Sequence, residues 1–118
     1  MKMSDMYRFE YEDIVFQDAV TATANGTALS VGGKRDLTVE ITGATATATR
    51  TVSFYGTGAS GTLIAIQGVN YATITAVATS TAGIGEIWGF DITGLHQVYM
   101  AVTAISGDTV SVTGRAIA

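Results

Sequence analysis

AVTAISGDTVSVTGRAIA, residues 101–118, decides the class of fold. Apolar and small polar residues alternate through it, break once at Ser106-Gly107-Asp108, and alternate again to Ala118. A period of two sends successive side chains to opposite faces of an extended chain, one for a core and one for solvent. The stretch reads as a β-hairpin around a tight turn, with no reactive group in it.

The same pattern extends upstream. In DLTVEITG (36–43), Leu37, Val39 and Ile41 face a core while Thr38, Glu40 and Thr42 face out. ATATATRTVSFYG (44–56) keeps the period and buries Val52 and Phe54. GEIWGFDITG (85–94) sets Glu86, Trp88 and Phe90 against Ile87, Gly89 and Asp91, and HQVYMAVTAIS (96–106) puts Val98, Met100, Val102 and Ala104 on one face. Near the start, Tyr7, Phe9 and Tyr11 alternate with Arg8, Glu10 and Glu12. The following DIVFQDAVTATAN (13–25) continues extended to a turn at Asn25-Gly26, and Gly32-Gly33 makes another reversal. TLIAIQG (62–68) and NYATITAVATSTAG (70–83) follow the glycine loop YGTGASG (55–61). The β-branched residues that dominate these windows suit a pleated surface and lose rotamer freedom in a helix. About eight or nine strands separated by regular turn signals predict an all-β chain, an antiparallel β-sandwich with a small β-barrel as the alternative. The 118 residues read as a single domain, 1–118, with residues 1–13 a possible N-terminal arm.

Composition narrows the partners. There is no cysteine, so no disulfide or thiolate metal site holds the chain together. A net charge of −4 argues against a nucleic-acid surface. Only 14% of residues are charged, well under the roughly 25% of ordinary soluble domains. No Asp, Glu, Lys or Arg occurs from Thr51 to Gly85, while the N-terminal segment is crowded with them. An exterior of Thr and Ser suits a protein packed among neighbours. No apolar run is long enough for a membrane helix, and MKMSDMYRFEYED lacks the apolar centre of a secretory signal. The expectation is synthesis in a cytoplasm without signal-directed export, and no membrane partner.

The inventory of reactive groups is thin. The one histidine, His96, follows the Thr93-Gly94 turn, and no G-x-S-x-G elbow presents a nucleophile to it. Glu86 and Asp91 are separated by an odd number of positions, so strand alternation sends them to opposite faces and keeps them from flanking one bond. Glu10, Glu12, Asp13 and Asp18 offer hard oxygens without EF-hand spacing, and YGTGASG lacks the lysine and helix of a P-loop. The expectation is no catalytic, cofactor-binding or metal-binding residues and no enzyme activity. Two surfaces remain as binding candidates. Tyr7, Phe9 and Tyr11 form an aromatic stripe that would serve a protein partner by strand addition. Trp88 with Tyr99 and nearby tyrosines would stack sugars if exposed, although a lone Trp within an apolar strand also reads as core.

GEIWGFDITGLHQVYMAVTAISGDTVSVTGRAIA (85–118) resembles the closing segment of small β-sandwich virion structural proteins of tailed bacteriophages. DLTVEITGATATATRTVSFYGTGASGTLIAIQGVN (36–70) is similar to an earlier part of such modules, and the likeness spans residues 27–118. The resemblance implies a bacteriophage virion structural protein of capsid decoration (cement) or tail accessory type. Such a protein is assembled in the host cytoplasm, located in the virion, homo-oligomeric, and bound to a major capsid or tail protein. A tail or fibre module, or a carbohydrate-binding module reading host glycans through Trp88, is the alternative.

Overall fold

A computed structural model describes residues 10–43, 49–80, 85–107 and 109–118, and every regular element among them is a strand. In chain order these are β1 (Tyr11–Val20), β2 (Leu29–Ser30), β3 (Asp36–Gly43), β4 (Thr49–Thr57), β5 (Ile64–Ala65) and β6 (Gly68–Asn70). They continue with β7 (Thr75–Val77), β8 (Thr79–Ser80), β9 (Glu86–Asp91), β10 (Gln97–Ser106) and β11 (Val110–Ile117). One antiparallel sheet has the order β1-β11-β3-β9-β6-β7; the other runs β2-β10-β4-β5, with β8 also paired to β4. The fold is an antiparallel sandwich.

The long strands bury the faces that alternation predicts. Leu37, Val39 and Ile41 of β3, Trp88 and Phe90 of β9, and Val110, Val112 and Ala116 of β11 meet Val52 and Phe54 of β4 and Val98, Met100 and Val102 of β10. At the centre, the Phe54 ring stands edge-on to Trp88 at 5.0 Å and to Phe90 at 4.8 Å, joining the two sheets through one side chain. Such offset contacts add to the area that the rings remove from water. Two glycines make room for other rings. A Cβ on Gly68 would lie 2.4 Å from Phe90 Cζ, and one on Gly114 would lie 2.7 Å from Phe16 Cε2.

The C-terminal reading needs correction. Residues 101–118 are not a hairpin: β10 pairs with β2 and β4, whereas β11 lies between β1 and β3 in the other sheet. The reversal at Gly107, whose φ is 85°, carries the chain across the sandwich. Period-two alternation reports which face of a strand is buried and is silent about its ladder partner. Ala104 is also corrected. Between Val102, opposite Val52, and Ala104, opposite Thr51, the β10–β4 register slips, and Ala104 is exposed. One inserted residue inverts the alternation beyond it. TLIAIQG contributes only the exposed two-residue β5 and the start of β6.

Toward the other end of the chain, β1 is an edge strand among the described residues, with register shifts on either side of Gln17. Consecutive Phe16 and Gln17 are consequently both buried. Phe16 enters the core, while Gln17 Nε2 donates to Ala24 O and to Met100 O, both at 3.0 Å, tying β1 to the opposite sheet. Gly26, with φ 74°, passes so close to Gln17 that a Cβ would fall 2.4 Å from its Nε2.

Two outcomes follow. Phe54→Ala removes the ring that both sheets share and should cost about 3–5 kcal/mol in urea unfolding. A loss under about 1 kcal/mol would mean that the ring is no clamp. Hydrogen exchange tests the crossover. Ala118 N donates to Glu10 O at 2.9 Å, so the amides of Tyr11, Asp13 and Val15 point away from β11 to the free edge of β1. Consecutive amides of β11, such as Val112 and Thr113, should both be strongly protected. Every second β11 amide exchanging as fast as Tyr11, Asp13 and Val15 would place β11 at an edge instead.

Candidate functional site on the outer face of the six-stranded sheet

With one face of the six-stranded sheet spent on the core, alternation sends a second set of side chains outward. Register aligns them in rows across the strands: Val15, Thr113, Glu40 and Ile87 in one, and Asp13, Arg115, Thr38, Gly89 and Val69 in the next. A shallow groove of about 580 Å³ runs along them from Asp13 and Val15 to Ile87. Val15 and Ile87 are 51% and 44% exposed.

The β1 end of this face is fixed by charge. Arg115 Nε donates to Asp13 Oδ1 at 2.7 Å and Nη2 to Oδ2 at 2.9 Å, the forked geometry that suits a guanidinium and a carboxylate. The same guanidinium lies 4.5 Å from the centre of the Tyr11 ring. The Arg115 hydrogen bonds hold the Asp13 carboxyl below its ordinary value of 3.8, and Asp13 in turn raises Arg115.

The β9 end is built around Tyr71. This residue opens the turn between β6 and β7, where Asn70 Oδ1 accepts from Ala72 N at 2.9 Å and Asn70 O from Ile74 N at 2.7 Å. Tyr71 N donates to Ile87 O at 2.9 Å, and its ring lies over Gly89, where a Cβ would fall 2.6 Å from Cε1. The residue is nevertheless 54% exposed. Beside it, a second groove of about 320 Å³ takes in Asp36, Thr38, Val69 and Asp91. Asp91 Oδ1 accepts from Thr93 N at 3.0 Å, which lowers its pKa.

The residues singled out from sequence are scattered. Tyr7 and Phe9 lie outside the described residues. Tyr11 is exposed and belongs to the chain's own sheet, and the arm boundary at residue 13 is corrected because Tyr11, Glu12 and Asp13 pair with Ile117, Ala116 and Arg115. Trp88 is corrected as a sugar platform: it is 3% exposed, edge-on to Phe54, and its Nε1 has no hydrogen-bond partner among the described residues. Tyr99 sits in the other sheet opposite Tyr55 and donates to Gln97 Oε1 at 3.3 Å, so it does not converge with Trp88. Glu86 points inward, accepting from Ser80 Oγ and from Asn70 Nδ2, while Asp91 points outward. His96 is exposed immediately before β10, engaged through its backbone with Thr57 and Val31. Sequence reading missed Arg115, whose partner Asp13 stands 102 positions away. It also missed the seat of Tyr71, signalled only by a glycine on the outer phase of β9.

Comparison with known proteins agrees with this architecture. Residues 10–116 match the family model described as XepA. The chain belongs to the XepA family. Within that family it is 39% identical over 105 residues to the phage-like element PBSX protein XepA of Bacillus subtilis (strain 168), covering 89% of this chain and 37% of XepA. It is 36% identical over 93 residues to the SPbeta prophage-derived protein YomS of the same organism, covering 79% of this chain and 76% of YomS. The solved structure of the PBSX exported protein XepA superposes with a TM-score of 0.87 at 34% identity, over 93% of this chain and 38% of that one. The solved structure of YomS superposes with a TM-score of 0.84 at 30% identity, over 94% and 96%. The chain thus spans little more than a third of XepA and most of YomS. The resemblance to bacteriophage proteins holds at the level of phage elements: PBSX and SPbeta are the sources of these relatives.

The ion pair carries a pH signature. A depressed carboxyl contributes stability that is complete above its unfolded value, near 3.8, and is lost as pH falls through its lower folded value. Asp13→Asn should therefore flatten the decline of melting temperature in that acid window, modestly because the pair is exposed. The difference from the parent chain should shrink in high salt. Identical acid profiles at low salt would show that the pair adds nothing to the fold.

Proposed function

We propose that this chain is a non-enzymatic association module of a phage element, a capsid decoration subunit that fastens to a repeated site on the particle through the outer face of its six-stranded sheet. The observation that carries the reading is that face. Val15, Ile87, Val69 and Tyr71 stand exposed across it, with Arg115 and Asp13 locked in place among them. Scattered apolar residues need no explanation, but a broad face combining them with ordered polar groups has the make-up of a protein interface. Support from the sequence is the low charge and the uncharged run from Thr51 to Gly85. The reading includes self-association into a homo-oligomer. It excludes nucleic acid as a partner, because a net charge of −4 offers phosphates no attraction.

Purified chain should band with particles of its phage element in a density gradient. Ile87→Lys, whose charge falls opposite Glu40 in register, should abolish that banding while leaving the melting temperature within a degree or two, since an exposed substitution costs about 0.5 kcal/mol or less. A second reading is favoured by the description of XepA as an exported protein: the module acts free in the medium, outside the producing cell. Protein found entirely in the particle-free fraction of the medium would overturn decoration in its favour.

A further inference from the structure

The two ends of the outer face share one chemistry. At the β1 end, a tyrosine ring and a carboxylate hold a guanidinium: Tyr11, Asp13 and Arg115. At the β9 end, Tyr71 stands beside Asp36 and Asp91 along the smaller groove. The single ion pair among the described residues is Asp13–Arg115, so no described cation meets Asp36 or Asp91. The two aspartates face each other directly in the β3–β9 register. One step beyond this pair Ile92 N donates to Arg35 O at 2.9 Å, a single bond because Arg35 N turns to Ile117 O on β11, and the ladder alternates from there. Residues 36 and 91 are then a non-hydrogen-bonded pair, the geometry in which opposed side chains come closest. Like charges directly opposite destabilise a sheet. Asp91 has a structural task, capping the Thr93 turn, whereas among the described residues no hydrogen bond or ion pair engages the Asp36 carboxylate. A ring seated over Gly89 beside two opposed carboxylates offers an organic cation both a π face and charged acceptors.

We infer that the groove formed by Tyr71, Asp36 and Asp91 receives an arginine or lysine side chain of a partner protein, with the cation over the tyrosine ring and its N–H groups donating to the carboxylates. The inference rests on the reading of this face as an association surface and names the chemistry of the partner at one end of it. The pattern of the cage is supplied by the molecule itself at Tyr11, Asp13 and Arg115.

The test titrates the full chain with N-acetyl-arginine amide and with the neutral, near-isosteric N-acetyl-citrulline amide, following the Gly89 amide and the Tyr71 ring by NMR. Arginine amide should produce saturable shifts at both positions, and citrulline amide none. Asp36→Asn should weaken binding roughly two- to fivefold, the scale of one exposed charged contact. Tyr71→Ala should abolish the site, and Gly89→Ala should do the same by displacing the ring. Asp36→Asn should melt at the parent temperature or above, because it relieves the opposed charges; a lower melting temperature would assign the carboxylate to the fold and overturn the inference. Equal response to both amides would also overturn it, as would particle banding unchanged in Asp36→Asn and Tyr71→Ala. If the parent chain itself fails to band with particles, the association reading fails, and the amide titration still decides the chemistry of the groove.

Discussion

The sandwich depends on the contact of Phe54 with Trp88 and Phe90. The sheets share few other large groups, since most of the core consists of valine, leucine and isoleucine from alternating strand positions. Phe54 comes from β4 and both partners come from β9, so one ring fixes the lateral placement of the two sheets. Everything on the outer face follows from that placement. With Trp88 and Phe90 turned inward, Ile87, Gly89 and Asp91 must face out, and Gly89 becomes the seat for Tyr71. The indole is therefore committed to the core, and the exposed aromatic position passes to Tyr71 in a turn.

The outer face differs from an ordinary solvated sheet in how firmly its polar groups are held. Asp13 and Arg115 are on neighbouring strands and engage through two hydrogen bonds, with Tyr11 against the guanidinium. Tyr71 is restrained by the Asn70 turn and by its own backbone bond to Ile87. Groups fixed in advance lose less freedom on binding a partner than mobile ones do. The relatives are proteins of phage elements, and in YomS the same sandwich makes up nearly the whole solved chain. In XepA it accounts for a minority of a longer one.

Strand identity and burial were legible because side chains in strands obey a strict period. Leu37, Val39, Ile41, Trp88 and Phe90 could be assigned inward from their neighbours alone, and so could the separation of Glu86 from Asp91. Pairing was not legible. Val110 and Val112 alternate the same way whether β11 folds back on β10 or crosses to lie beside β1. Nor could alternation foresee the slips at Gln17 and after Val102, where one extra residue changes which phase is buried. The candidate site shared that fate. Asp13 with Arg115, and Asp36 with Asp91, are brought together by ladders between distant segments, and such ladders leave no trace in local spacing.

The position of β11 also imposes an order on folding. β1 and β3 are both made before β11, yet they do not touch in the ladder; β11 stands between them and joins each by a full run of partners, from Tyr11 opposite Ile117 to Val110 opposite Gly43. While the chain is still emerging from the ribosome, the six-stranded sheet is missing an interior strand. Its halves expose unpaired backbone and the apolar faces of Leu37, Val39 and Ile41. Long-range strand pairing of this kind is slow and leaves edges open to wrong partners in the interval. The sandwich closes only after synthesis has passed residue 117, so β11 commits the placement of β1, which lies about a hundred residues before it.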